Sequence, residues 1–166
     1  MQLPESETIS IIVPLLLGKE FINPLLESIE AQTLQPQDVI FIISESDEAS
    51  DSIQLISERD SLNIIYKLVK PSYPGKARNI GAEVSNSNLL AFLDIRTIPD
   101  RNWLQNSYTQ LIDSDLSFIG GMTNCAADIP YKNLLKVTTH GNVPSKTLPG
   151  SLVRAKVIVK LNLSPI

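Results

Sequence analysis

The chain has 166 residues, 43% hydrophobic and 19% charged, enough for one ordinary domain with a sizeable core and too apolar for a disordered segment. Its 14 Lys and Arg against 18 Asp and Glu give a formal charge of −4, which excludes the basic footprint of a general nucleic-acid binder. Cys125 is the only cysteine, so an internal disulfide framework and a cysteine-based zinc site are excluded as well.

Met1 to Thr8 is polar and acidic and lacks the basic start and apolar run of a signal peptide. Ile9 to Val13 (ISIIV) is a β-rich run, predicted as a strand buried on both faces. It opens the longest apolar run, Ile11 to Leu17, which holds Pro14 and is far short of a membrane span. The expected setting is therefore the cytoplasm, with peripheral placement at a membrane as the variant. Phe21, Ile22, Leu25, Leu26 and Ile29 then recur at helical spacing along one apolar stripe. Val39 to Ile43 (VIFII) reads as a second buried strand ending in Ser44-Glu45-Ser46-Asp47. Ser50 is placed to cap a helix whose inner face is Ile53 and Ile56.

Ile64 to Val69 is a third strand, followed by a loop punctuated by Pro71 and Pro74 and a helix over Lys76 to Val84. Leu89 to Leu93 is a fourth strand running into Asp94, and Pro99 opens the turn to a helix carrying Trp103, Leu104, Tyr108, Leu111 and Ile112. Leu116 to Ile119 and Ser151 to Val153 are short β-like runs, and Ala155 to Leu161 is an apolar helix. Strands alternating with helices imply an α/β fold of parallel βαβ units with right-handed crossovers. Ligands in such sheets sit outside the carboxyl ends of the strands, at the switch point of the strand order. That rule assigns three loops to a site: Pro14 to Glu20, Ser44 to Asp47, and Asp94 to Thr97.

Several segments, in order, resemble family 2 glycosyltransferases. They are ISIIVP followed by LLESIEAQT, the acidic Ser44-Glu45-Ser46 turn, Gly75-Lys76-Ala77-Arg78-Asn79-Ile80-Gly81-Ala82 against the family's Ala-Arg-Asn-x-Gly helix, and LLAFLDIRTIPDRNWL. Gly120-Gly121 and LPGSLVRAKVIVKL extend the resemblance, which covers about Ile9 to Leu161. It implies a GT-A-like α/β/α sandwich with a mostly parallel sheet, a nucleotide-sugar donor (a UDP-sugar favoured), and a carbohydrate or lipid-linked acceptor.

The resemblance also assigns residues. Pro14 shapes the nucleotide loop, and Glu45 stands where the family's acid contacts the base, with Asp47 the weaker candidate. Ser44, where the family has another acid, is a departure. Arg78 suits either the diphosphate or an intramolecular ion pair, and Gly81 suits close helix–sheet packing. Asp94 opens the family's Asp-x-Asp motif, which holds a divalent cation, Mn²⁺ or Mg²⁺, on the donor phosphates. Here it reads Asp94-Ile95-Arg96, so Asp94 is the single acid left to bind metal. Two readings stand: Arg96 replaces the metal against the diphosphate, or Arg96 pairs with Asp94 and the metal chemistry is lost. Asp100 is expected to cap the helix after the motif, and Trp103 to anchor it in the core. His140, Asp128 and Cys125 are read as ordinary residues.

No residue matches the family's general base, because the last acid of the chain is Asp128. The expectation is thus the donor-binding part of a longer enzyme, with a non-catalytic nucleotide-sugar-binding module as the alternative. A receiver-like domain is disfavoured, since Val69-Lys70-Pro71 stands where its phosphorylated aspartate belongs.

Overall fold

The computed structural model describes residues 7–114, 116–121 and 150–155. The described residues form ten elements: β1 (Ile9–Leu15), α1 (Ile22–Glu30), β2 (Asp38–Ser44), α2 (Ala49–Ser57), β3 (Ile64–Val69), α3 (Pro74–Val84), β4 (Leu89–Phe92), α4 (Trp103–Asp113), β5 (Phe118–Ile119) and β6 (Ser151–Arg154). A single 3-10 turn, Lys19–Phe21, leads into α1. The sheet order is β3-β2-β1-β4-β6-β5. The first four strands run parallel, and β6 is antiparallel to both β4 and β5.

The period of two along the strands sorts the core into two layers. Ile9, Ile11 and Val13 of β1, with Val39, Phe41 and Ile43 of β2, face α1, α2 and α4. Ile12, Ile40, Ile42, Leu90 and Phe92 face α3, the one helix on that side among the described residues. This is a three-layer α/β/α sandwich, as the sequence implied. The helices dock by their apolar stripes: Ile22, Leu25, Leu26 and Ile29 on α1, and Leu104, Tyr108 and Leu111 on α4. On α3 the contact is closer. A Cβ placed on Gly81 would lie 2.4 Å from Ile12 Cγ2, so only a residue without a side chain lets the helix lie this near the sheet.

Two expectations shift. The fifth strand is shorter than Leu116 to Ile119, being Phe118–Ile119. The second helix starts at Ala49 with Glu48 at its N-cap and no side-chain cap bond, so Ser50 does not cap it. The helix expected over Ala155 to Leu161 falls almost wholly outside the described residues, as do His140, Asp128 and Cys125.

Candidate functional site

Strand order reverses between β1 and β4: β2 and β3 lie to one side, β4 to the other. A cleft of about 1360 Å³ opens over this switch point, at the carboxyl ends of the strands. Pro14, Asp94 and Arg96 line it, with Ser44 at the end of β2. Pro14 lies beyond the last β1–β4 pair, Ile12 with Phe92, so its missing N–H breaks no ladder there.

The Asp94–Thr97 segment is a tight turn closed by the Thr97 N–H donating to the Asp94 carbonyl at 2.9 Å. Ile95, 9% exposed, is sunk into the core and fixes the turn. Asp94 and Arg96 therefore leave it in different directions. Asp94 meets Arg78 of α3, whose Nη2 donates to Asp94 Oδ1 at 2.5 Å. Arg96 is exposed at the rim, its guanidinium 5.6 Å from the centre of the Phe21 ring. The expected alternatives for Arg96 are thereby corrected in one respect. The partner of Asp94 is Arg78 of α3, and Arg96 lies over the Phe21 ring instead.

Arg78 is well shielded, with 11% of its side chain exposed against 46% for Asp94. Its Nε is buried with no hydrogen-bond partner among the described residues, and Arg78 is not one of the residues lining the cleft. Glu45 and Asp47 lie just beyond β2, both exposed, and neither is among the residues lining the cleft. The Glu45 backbone N–H donates to the Val69 carbonyl at 2.8 Å, which fixes the backbone of the loop's first residue.

The opposite wall comes from α4. Trp103, Asn106, Ser107 and Gln110 follow helical spacing and line the cleft, while Leu104, Tyr108 and Leu111 face the core. Trp103 is half-buried, and its Nε1 donates to the Gly150 carbonyl at 3.0 Å. It is a core anchor as expected and a cleft wall besides. Gly150 takes φ +74°, and a Cβ on Gly121 would meet the Gly150 carbonyl oxygen at 2.4 Å. Asp100 does not cap α4, whose N-cap is Asn102 with no side-chain cap bond; its Oδ1 accepts the Asn102 N–H at 2.9 Å in the turn before the helix.

Sequence reasoning missed Gln32, which is 4% exposed. Its Oε1 accepts the Leu104 N–H at 3.0 Å, and its Nε2 donates to the Ser28 and Asp100 carbonyls at 3.1 and 2.7 Å. Gln32 thus satisfies an open donor at the first turn of α4 from a distant loop. The polar face of α4 was also missed, although its i, i+3, i+4, i+7 spacing is present in the sequence.

A divalent cation does not fit the described residues. It calls for several hard oxygen ligands, whereas the turn offers one carboxylate, already paired with Arg78, and a guanidinium two positions on. No group of three or more His, Cys, Asp or Glu among the described residues could hold a metal ion. Shifted protonation equilibria do not mark the cleft either. Burial pushes the Asp38 carboxyl up, and burial with the Glu7 carboxylate pushes Tyr108 up to about 12, both towards the far ends of the strands.

The sequence pattern of Glycosyl transferase family 2 matches residues 10–147. Glycosyltransferase AglE of Haloferax volcanii is 28% identical over 119 residues, covering 68% of this chain and 38% of its own length. S. aureus TarS 1–349 in complex with UDP-GlcNAc superposes with a TM-score of 0.70 at 17% identity, over 94% of this chain and 48% of TarS 1–349. The mannosyltransferase PcManGT from Pyrobaculum calidifontis, in complex with GDP-Man and Mn²⁺, gives 0.68 at 16%, over 92% and 46%. At these identities the structural likeness speaks for the fold, and the chain spans less than half the length of each of the three proteins.

Proposed function

The chain belongs to glycosyl transferase family 2, and on that premise we propose that its cleft receives the nucleoside diphosphate of a sugar donor. The observation that carries this reading is that Asp94 and Arg96 line the cleft at the switch point, where α/β sheets bind their ligands, with Arg78 paired to Asp94. A UDP-sugar is favoured. TarS is complexed with UDP-GlcNAc and PcManGT with GDP-Man, so donors of this class suit the fold. Pro14 shapes the floor. Glu45, one residue beyond the cleft-lining Ser44, accepts an N–H of the base, with Asp47 beside it as a second acceptor. Arg78 braces Asp94, which faces the ribose or phosphates. The sugar passes to a carbohydrate or lipid-linked acceptor, with the protein in the cytoplasm or at the periphery of a membrane.

Thermal melting against UDP, GDP, dTDP and CDP tests the donor. One of them at 100 times its dissociation constant is expected to add about 2.7 kcal/mol of stability, and no shift with any of them would sink the reading. The engagement of Asp94 by Arg78 also favours a second reading, in which the domain holds a nucleotide-sugar without transferring it. Release of nucleoside diphosphate from the bound donor in the presence of acceptor separates the two.

A further inference from the structure

Resting on that reading, the composition of the turn carries one step more. In the cleft the Asp94 carboxylate is neutralised by Arg78, and Arg96 brings a further positive charge. Asp100 also lines the cleft, with its Oδ1 accepting the Asn102 N–H ahead of α4, and its charge offsets that of Arg96. The lining therefore lacks the surplus of carboxylates that a divalent cation needs. What it presents to a diphosphate is the exposed guanidinium of Arg96.

The attitude of Arg96 fits that role. A cation held over a ring spends no N–H on a hydrogen bond there, so its donors stay open to another ligand. The Arg96 guanidinium lies over the Phe21 ring, 5.6 Å from its centre. Paired N–H donors match the spacing of phosphate oxygens, so a pre-positioned guanidinium takes up phosphate with little further loss of freedom. Arg78 has a different part. Its Nη2 is spent on Asp94, while its buried Nε lacks a partner among the described residues.

We propose that this site binds the donor's diphosphate through Arg96, with the Arg78–Asp94 pair closing the turn, and does so without a divalent cation. The test is calorimetric titration of the whole chain with UDP, in EDTA and again in Mn²⁺. The dissociation constants are expected to agree within about twofold, the spread left by screening alone. Arg96→Ala weakens UDP about tenfold or more in both buffers, with its melting temperature unchanged because Arg96 is exposed. Arg96→Asp restores an acidic pair, so UDP binding by that variant fails in EDTA and returns with Mn²⁺. Wild-type binding seen only with Mn²⁺, or Arg96→Ala binding as tightly as wild type, overturns the inference and leaves the nucleotide reading intact. If UDP, GDP, dTDP and CDP all fail in both buffers, the nucleotide reading falls and takes the inference with it.

Discussion

Asp38 opens β2 only 7% exposed, its Oδ1 without a hydrogen-bond partner among the described residues. Burial raises its pKa above the ordinary carboxylate value, and a hydrogen bond from Ser10 opposes the rise only in part. The folded chain therefore holds this proton more tightly than the unfolded chain does. Between the ordinary pKa near 4 and the raised one, stability falls as pH rises, and it stays lower at neutral pH. Asp38→Asn keeps the shape without the charge. It is expected to raise the melting temperature at pH 7 by a few degrees, at about 2–4 °C per kcal/mol for a chain of this size, and to change it little at pH 4. Equal gains at both pH values would show that the charge is not the cause. Sequence gives no hint of this, because Asp38 reads as a polar residue just before the apolar run. Asp94 and Arg78 were legible as site residues from the motif order, but their pairing spans two elements and needs the fold to choose between ligand and ion pair.

At the level of elements, the strands and helices follow from periodicity, while the ties between them do not. The Gln32-Thr33 pair after α1 shows why. Thr33 N–H donates to the Arg101 carbonyl at 3.0 Å, and Gln32 bonds both the Leu104 N–H and the Asp100 carbonyl. Two motifs some 70 positions apart are thus one structural unit that seats the first turn of α4, and with it Trp103, against the cleft. A local capping rule looks within a few residues and cannot find such a partner. The same rule chose Ser50 for α2, where the turn closed by Ala49 N–H to the Ser46 carbonyl at 3.1 Å starts the helix without it. Gln32→Ala leaves the Leu104 N–H without its acceptor, while the Asp100 carbonyl keeps the Trp103 N–H; an opened buried amide costs about 1–3 kcal/mol when no water replaces the lost partner. Chemical denaturation should show a loss within that range. A loss under about 0.5 kcal/mol, the scale of an ordinary surface change, would mean that solvent reaches these groups and that Gln32 does not hold α4.

In the molecule as a whole, the two faces of the sheet are covered unequally: α1, α2 and α4 on one, α3 alone on the other among the described residues. The distance of α3 from the sheet then governs the site, because Arg78 and Gly81 share that helix less than one turn apart. Gly81 meets Ile12, and Arg78 reaches Asp94 at 2.5 Å from the same seating. The sequence suggested close packing at Gly81 but not its consequence for the ion pair, which depends on how the layers stack. Gly81→Ala sets two effects against each other. Helix propensity favours alanine by about 1 kcal/mol, whereas a Cβ 2.4 Å from Ile12 Cγ2 forces the helix outward, and overpacking of this kind typically costs about 1–3 kcal/mol. Because neither partner can swing clear, the steric effect is expected to win, with a net loss of stability and weaker UDP binding as Arg78 is drawn away from Asp94. Ile12→Ala removes the clashing methyl, so in the double variant the alanine at 81 should cost less than it does alone, with a coupling of 0.5 kcal/mol or more in the double-mutant cycle. If Gly81→Ala instead stabilises the chain, α3 lies farther from the sheet than this contact allows, and the reach of Arg78 to Asp94 goes with it.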